Sequence, residues 1–154
     1  MMLPSPLLLV CSGNLCRSPF AEGVLRRRLD KAGVYAEVFS RGLLNVGAQP
    51  VPPAALKVAA EFGVDLSAHQ AQQLAVEDLQ RAGLVLVMSA RQRRHIGEMQ
   101  PMAIGKVFLL SQPEDGDTVD DPIGQPESVF RDVYGTIDHL TGLWLQRFGV
   151  TSGA

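Results

Sequence analysis

Cysteine is nearly missing: the 154 residues hold two, Cys11 and Cys16, five positions apart. A bridge between them would close only a tiny ring, a poor layout for a structural disulfide, and the pair points instead to thiol chemistry in a reducing compartment. An excess of either charge is missing too. Fourteen Lys and Arg stand against sixteen Asp and Glu, a formal charge of -2, which argues against a nucleic-acid-coating or polybasic membrane-binding surface. No apolar stretch comes near the ~20 residues of a membrane-spanning helix. The opening MMLPSPLLLV has only four consecutive apolar residues, no basic residue ahead of them and no cleavage site behind, so it reads as a strand and not a signal peptide. Repeats and low-complexity tracts are absent. Against 19% charged residues the chain sets 46% hydrophobic ones, enough for a sizeable core, and wholesale disorder is excluded. One domain over residues 1–154 and a cytoplasmic location are expected.

Leu7-Leu8-Leu9-Val10 is short and continuously apolar, as a strand buried on both faces of a parallel sheet should be. After a loop over Cys11–Ser18, Pro19 suits the first turn of a helix whose apolar positions Phe20, Ala21, Val24, Leu25 and Leu29 recur until Gly33. Arg26, Arg27 and Arg28 read as its solvated face. Val34–Phe39 is expected as a second strand, Pro53–Phe62 as a second helix, and a short helix falls near Val76–Arg81. Leu84–Met88 and Val107–Leu110 read as buried strands flanking a polar helix over Arg91–Met99. The last helix starts near Pro126 and keeps its period through Phe148, weakened locally by Gly135 and Gly142. Strands alternating with helices give an α/β fold, a doubly wound three-layer sandwich on a four-stranded parallel sheet. Its ligands belong beyond the carboxyl ends of the strands, which puts the loop after strand one at the active edge.

That loop reads Cys11-Ser12-Gly13-Asn14-Leu15-Cys16-Arg17-Ser18. So tight a turn can aim successive backbone N–H groups inward as an anion nest, and the helix that follows adds its positive end. Arg17 supplies a planar clamp for two phosphate oxygens. The same field favours the thiolate of Cys11, the form that attacks phosphorus, and Ser18 can donate a hydroxyl hydrogen bond to it. Gly13 and Asn14 tolerate the left-handed angles of such a turn. The plainer reading is a buried small cysteine beside a surface arginine. A zinc pair lacks partners, because no further cysteine exists and His69, His95 and His139 are scattered, and a Walker loop lacks its Gly-Lys-Ser/Thr.

VCSGNLCRSPFAEG resembles the opening signature of the low-molecular-weight protein tyrosine phosphatases, Val-Cys-x-Gly-Asn-x-Cys-Arg-Ser-Pro. The likeness continues in order through Ser40-Arg41-Gly42, His69 to Leu74, Val87-Met88 and Asp121-Pro122. It implies Cys11 as nucleophile, Arg17 as phosphate clamp and Asp121 as general acid. Ser12, Gly13, Asn14, Leu15, Cys16 and Ser18 would bind phosphate, with His69 as a supporting residue. The chemistry asks for that acid independently: a protonated Asp delivers a proton as the ester bond breaks, and the carboxylate then activates water against the phosphocysteine. No metal and no cofactor are implied. The partners implied are a phosphorylated protein and, in the loop, phosphate or another oxyanion, with no nucleic acid and no membrane. Cys16, resembling the family's own second cysteine, is expected to form a disulfide with an oxidised Cys11, a reversible protection.

Asp121 closes a run of five carboxylates in eight residues, Glu114–Asp121, in which Asp120 is a weaker candidate for the acid. Residues 1–60 carry +4 and residues 111–154 carry -6, so folding must bring an acidic loop over a cationic site. Four features depart from the family pattern, one of them Gln72 in place of the usual basic residue. Ile123-Gly124 follows Asp-Pro where ring-stacking aromatics are expected, Leu43-Leu44 stands where a further aromatic wall belongs, and Ser89 follows Met88 where an acid is common. Leu43, Leu44 and Ile123 would form an apolar wall without ring stacking. Phosphoarginine-directed members have a similar glycine-rich turn after Asp-Pro but carry threonine at the position of Leu15. Phosphotyrosine is therefore the first expectation, a protein-arginine phosphatase the alternative, and a non-catalytic phosphate-binding module the reading from another class. The sister arsenate reductases need downstream cysteines that this chain lacks.

Overall fold

The computed structural model describes residues 2–151. Four parallel strands, β1 (Leu7–Cys11), β2 (Val38–Gly42), β3 (Leu84–Val87) and β4 (Val107–Leu109), form one sheet in the order β2-β1-β3-β4. β1 lies inside, paired with β2 from Leu7↔Val38 to Cys11↔Gly42 and with β3 from Leu7↔Leu84 to Val10↔Val87. Alternate side chains of β1 point to opposite faces. Leu7, Leu9 and Cys11 enter one apolar cluster, while Leu8 and Val10 enter the other. With both faces covered, an unbroken Leu-Leu-Leu-Val run is what the position demands.

The first cluster is closed by α1 (Arg17–Ala32), α2 (Pro53–Glu61) and α5 (Glu127–Arg147). The second lies under α3 (Val76–Arg81) and α4 (Ala90–Met99). Helices on both faces of a parallel sheet are the three-layer α/β sandwich expected from the sequence. α5 runs unbroken through Gly135 and Gly142 because Phe130, Tyr134, Ile137, Leu140 and Trp144 on its inner face are buried. No helix among the described residues is long and apolar enough to cross a membrane.

Most other boundaries that move do so by a single residue, and β2 moves most. Instead of Val34–Phe39 it is Val38–Gly42. Gly33, at φ 68°, ends α1, and the Val34 N–H turns back to Leu29 O, so the chain is still closing the helix where the apolar pattern had suggested a strand. Pairing with β1 then extends the strand through Ser40-Arg41-Gly42, polar residues that bring the end of β2 against the Cys11–Ser18 loop. α1 begins at Arg17, with Cys16 as its N-cap, so Pro19 sits third in the helix, where a missing N–H still costs nothing. A 3-10 helix over Pro101–Lys106, unmarked by any apolar period, precedes β4.

Candidate active site

The loop leaves the carboxyl end of β1 and closes on the first turn of α1. Of Gly13 and Asn14, only Asn14 takes the left-handed conformation, at φ 57°. Its fully buried side chain holds that angle. Nδ2 donates to Ser18 Oγ at 2.8 Å and to Ser40 Oγ at 3.0 Å, and Oδ1 accepts the Gln72 N–H at 3.0 Å. The Asn14 carbonyl, which can only accept, fixes the proton of His69 on Nε2 at 2.8 Å. Ser40 passes the chain on to Glu22 Oε1 at 2.6 Å. The loop is thus fastened from β2, α1 and the segment around His69.

Gly13 has no such torsional task. The glycine the loop depends on is Gly42, where a Cβ would lie 2.8 Å from Asn14 N and from Gly13 C. Beyond it, the Leu43 N–H donates to Cys11 O and the Leu44 N–H to Ser12 O. Because β2 runs on to Gly42, Leu43 and Leu44 serve here as backbone donors. The Leu43 side chain packs on the second cluster, Leu44 is exposed, and neither lines the cleft beside Cys11.

Cys11 is buried, with Sγ 3.0 Å from Ser18 Oγ and 3.4 Å from the Ser18 N–H on α1. Since Asn14 already donates to Ser18 Oγ, the serine proton goes to the sulfur at 3.0 Å or to Arg41 O at 3.5 Å, and the sulfur is the nearer acceptor. The N–H groups of Gly13, Asn14, Leu15, Cys16 and Arg17 find no acceptor among the described residues. Buried amides are nearly always paired, so five free donors in one turn are a site built for an anion. Arg17, 5% exposed, donates from Nη1 to Val119 O at 2.8 Å and places Nη2 3.5 Å from Asp121 Oδ2.

Asp121 reaches the site from the loop between β4 and α5, half exposed, with Oδ1 accepting the Ile123 N–H at 3.1 Å. The anchor of that loop is Val119, buried, whose N–H donates to Met88 O. Asp120 is exposed and has no partner among the described residues that ties it to the site. The cleft over the sulfur, about 20 Å³, is lined by Leu15, Cys16, Arg17, Asp121 and Ile123 beside Cys11 and Gly13. A far larger groove of about 750 Å³ runs along α1; in it Arg26 is paired with Glu22 and Arg41 with Asp78, Arg27 donates to Phe62 O, and no cysteine lines it.

Cys16 is different from Cys11. Burial pushes its thiol up to about 12, so it is a neutral packed group, and its carbonyl accepts the Tyr134 hydroxyl at 2.8 Å. Tyr134, raised by its own burial and stacked 3.9 Å from Phe20, stays a donor. Sequence reasoning carried the likeness through Ser40 and Gly42 without giving them a role, and it missed Tyr134 and Gln92, whose Nε2 donates to Ser12 Oγ at 3.2 Å. Among the described residues no group of three His, Cys, Asp or Glu side chains is placed to hold a metal ion.

Known proteins share this arrangement of chain. The chain is 39% identical to EpsP of Ralstonia solanacearum, named a probable low molecular weight protein-tyrosine-phosphatase, over 92% of this chain and 94% of that one. Vibrio vulnificus Wzb, solved in complex with benzylphosphonate, superposes with a TM-score of 0.85 at 31% identity, over 92% of this chain and 97% of that one. The YwlE arginine phosphatase from Geobacillus stearothermophilus gives 0.85 at 30%, over 93% and 92%. A family model described as low molecular weight phosphotyrosine protein phosphatase matches residues 6–151, and this chain belongs to that family.

Proposed function

We propose that the protein hydrolyses phosphate monoesters on proteins, phosphotyrosine first among them, through a phosphocysteine formed on Cys11. The observation that carries the reading is a run of five N–H groups without an acceptor, Gly13 to Arg17, in the same turn as a buried Arg17 guanidinium and the buried Cys11 sulfur. In the first step Cys11 Sγ forms a bond to phosphorus as the ester P–O bond breaks, and Asp121 gives its proton to the departing oxygen. In the second, the Asp121 carboxylate takes a proton from water, the water oxygen bonds to phosphorus, and the P–S bond breaks to return the thiolate. Arg17 and the loop amides hold the equatorial oxygens throughout, which supplies the charge stabilisation a metal would otherwise give. Asn14, Ser18 and His69 keep the loop in shape. A reducing compartment such as the cytoplasm suits an enzyme whose nucleophile is a thiolate.

Leu15 and Ile123, the apolar lining of the cleft, can flank a phenol ring, and EpsP carries a tyrosine-phosphatase name. A second reading, phosphoarginine, is favoured by the lack of any aromatic in that lining and by the likeness to the YwlE arginine phosphatase. Turnover of phosphotyrosine, phosphoarginine and phosphoserine peptides by wild type, Cys11→Ser and Asp121→Asn tests all of this. Phosphotyrosine should be cleaved fastest, Cys11→Ser should be inactive, and Asp121→Asn should lose on the order of 10²–10⁴-fold, the worth of a general acid. Turnover by Cys11→Ser refutes the covalent route, and faster cleavage of phosphoarginine refutes the substrate.

A further inference from the structure

Helix α4 sends into the site a side chain that lies outside the Cys11–Ser18 loop and the Asp-Pro segment. Gln92 is buried on the first turn of α4, a turn capped by Ser89 Oγ, which accepts the Gln92 N–H. The orientation of its amide follows from its neighbours. The Met88 N–H can only donate, so the atom 2.8 Å from it is Oε1, and Nε2 is thereby aimed at Ser12 Oγ, 3.2 Å away. Arg17 Nη2 approaches the same oxygen at 3.4 Å. A hydroxyl has two lone pairs and one proton. With both lone pairs facing N–H donors, the Ser12 proton has to be given away, and it finds no acceptor among the described residues. The same Arg17 nitrogen lies 3.5 Å from Asp121 Oδ2, so this hydroxyl stands on the side of the cleft where the acid enters.

We propose that Gln92 is a positioning residue for phosphoryl transfer: together with Arg17 it fills the acceptor sites of Ser12 Oγ and turns the Ser12 O–H into a donor to an oxygen of the bound phosphoryl group. The proposal rests on the phosphatase reading above. An amide suits the task because it is neutral: it orders the hydroxyl without competing with phosphate for the Arg17 guanidinium, as a carboxylate in its place would.

The test uses Gln92→Glu and Gln92→Ala, each made in wild type and in Ser12→Ala. kcat, KM for an aryl phosphate and the inhibition constant of inorganic phosphate are measured from pH 4.5 to 8. In Gln92→Glu the protonated carboxyl still accepts from the Met88 N–H and donates to Ser12; once ionised it only accepts, and draws the Ser12 proton out of the cleft. Gln92→Glu should therefore match wild type within about threefold at the lowest pH and fall roughly 10- to 100-fold behind it in kcat/KM and phosphate affinity as the carboxyl ionises. The other titratable groups at this place, Cys11 and Arg17 of the loop and Asp121 across the cleft, are present in both backgrounds, so whatever the new charge does to them is read from the Ser12→Ala pair. In Ser12→Ala the ratio should fall clearly less, keeping only the part due to the new carboxylate's pull on Arg17 and its repulsion of phosphate. Gln92→Ala should weaken phosphate inhibition about tenfold in the Ser12 enzyme and less than twofold in Ser12→Ala. A flat ratio in the Ser12 enzyme, or equal losses in both backgrounds, overturns the positioning role and leaves Gln92 a packing residue. Should Gln92→Ala not fold, the pH ratio of Gln92→Glu decides alone. A wild type that hydrolyses no aryl phosphate overturns the phosphatase reading instead.

Discussion

Replacing Gly42 by alanine should damage catalysis out of proportion to its size. The added Cβ would meet two backbone atoms of the phosphate loop, Asn14 N and Gly13 C, at 2.8 Å, and Asn14 Cβ at 3.0 Å. Ordinary contact begins near 3.4 Å, so loop and strand must part by about half an ångström. The strand cannot retreat. The Gly42 N–H donates to Gln72 O, its carbonyl accepts the Leu74 N–H, and the next residue donates to Cys11 O. The movement therefore falls on the loop, where it shifts the amide donors relative to phosphorus. Overpacking of this kind costs about 1–3 kcal/mol, a fall of roughly 3–10 °C in Tm for a domain of this length. Displacing a reacting group by 1 Å costs up to ~10²-fold in rate, so a tenfold loss in kcat/KM is the expected order. Thermal melts by circular dichroism and steady-state hydrolysis of an aryl phosphate give both numbers. Unchanged Tm with unchanged kcat/KM would show that the loop yields freely, and would refute the claim that Gly42 is required for close approach.

Ile123→Tyr, which puts a ring at the cleft rim, should tighten phosphotyrosine peptide binding to a Cys11→Ser protein by about 0.5–1.5 kcal/mol; calorimetry showing no gain would mean that residue 123 does not face the substrate. Tyr134→Phe removes the buried hydroxyl that holds the Cys16 carbonyl and should cost about 1 kcal/mol, or roughly 2–4 °C in Tm, while an unchanged melt would show that the bond contributes nothing. After peroxide treatment, wild type should recover activity with a thiol reductant and Cys16→Ser should not. Because burial holds the Cys16 thiol far above the ordinary thiol range, only a trace is ionised at pH 7, so formation of the Cys11–Cys16 linkage should speed up steadily from pH 7 to 9; a rate flat with pH, read by peptide mass spectrometry, contradicts this.

The central strands were legible because β1 and β3 are covered on both faces and leave an unbroken apolar record. β2 was not, because its last residues answer to partners outside the core: Ser40 and Gly42 to the loop, Arg41 to Asp78. The same division holds at the site. Cys11, the nest and Arg17 lie within eight residues, so spacing alone suggests their chemistry. Gln92 meets Ser12 across 80 positions and Tyr134 meets Cys16 across 118. A glutamine on a polar helix and a tyrosine on a core face obey the local period, and nothing in that period records a partner so distant.

The two halves of the reaction also hang from parts of the molecule that open at different cost. Cys11 ends the strand hydrogen-bonded on both sides, and its loop is fastened from β2, α1 and the His69 segment, so exposing the sulfur means undoing the core itself. Asp121 belongs to a segment of mostly exposed residues tied down chiefly at Val119. Hydrogen exchange should accordingly be slow, near the global unfolding limit, at the amides of β1, and faster along residues 112–125 other than the anchored Val119. In rising urea the protein should lose its proton donor first, keeping for a while a thiolate that can still be phosphorylated by substrates whose leaving group needs no proton.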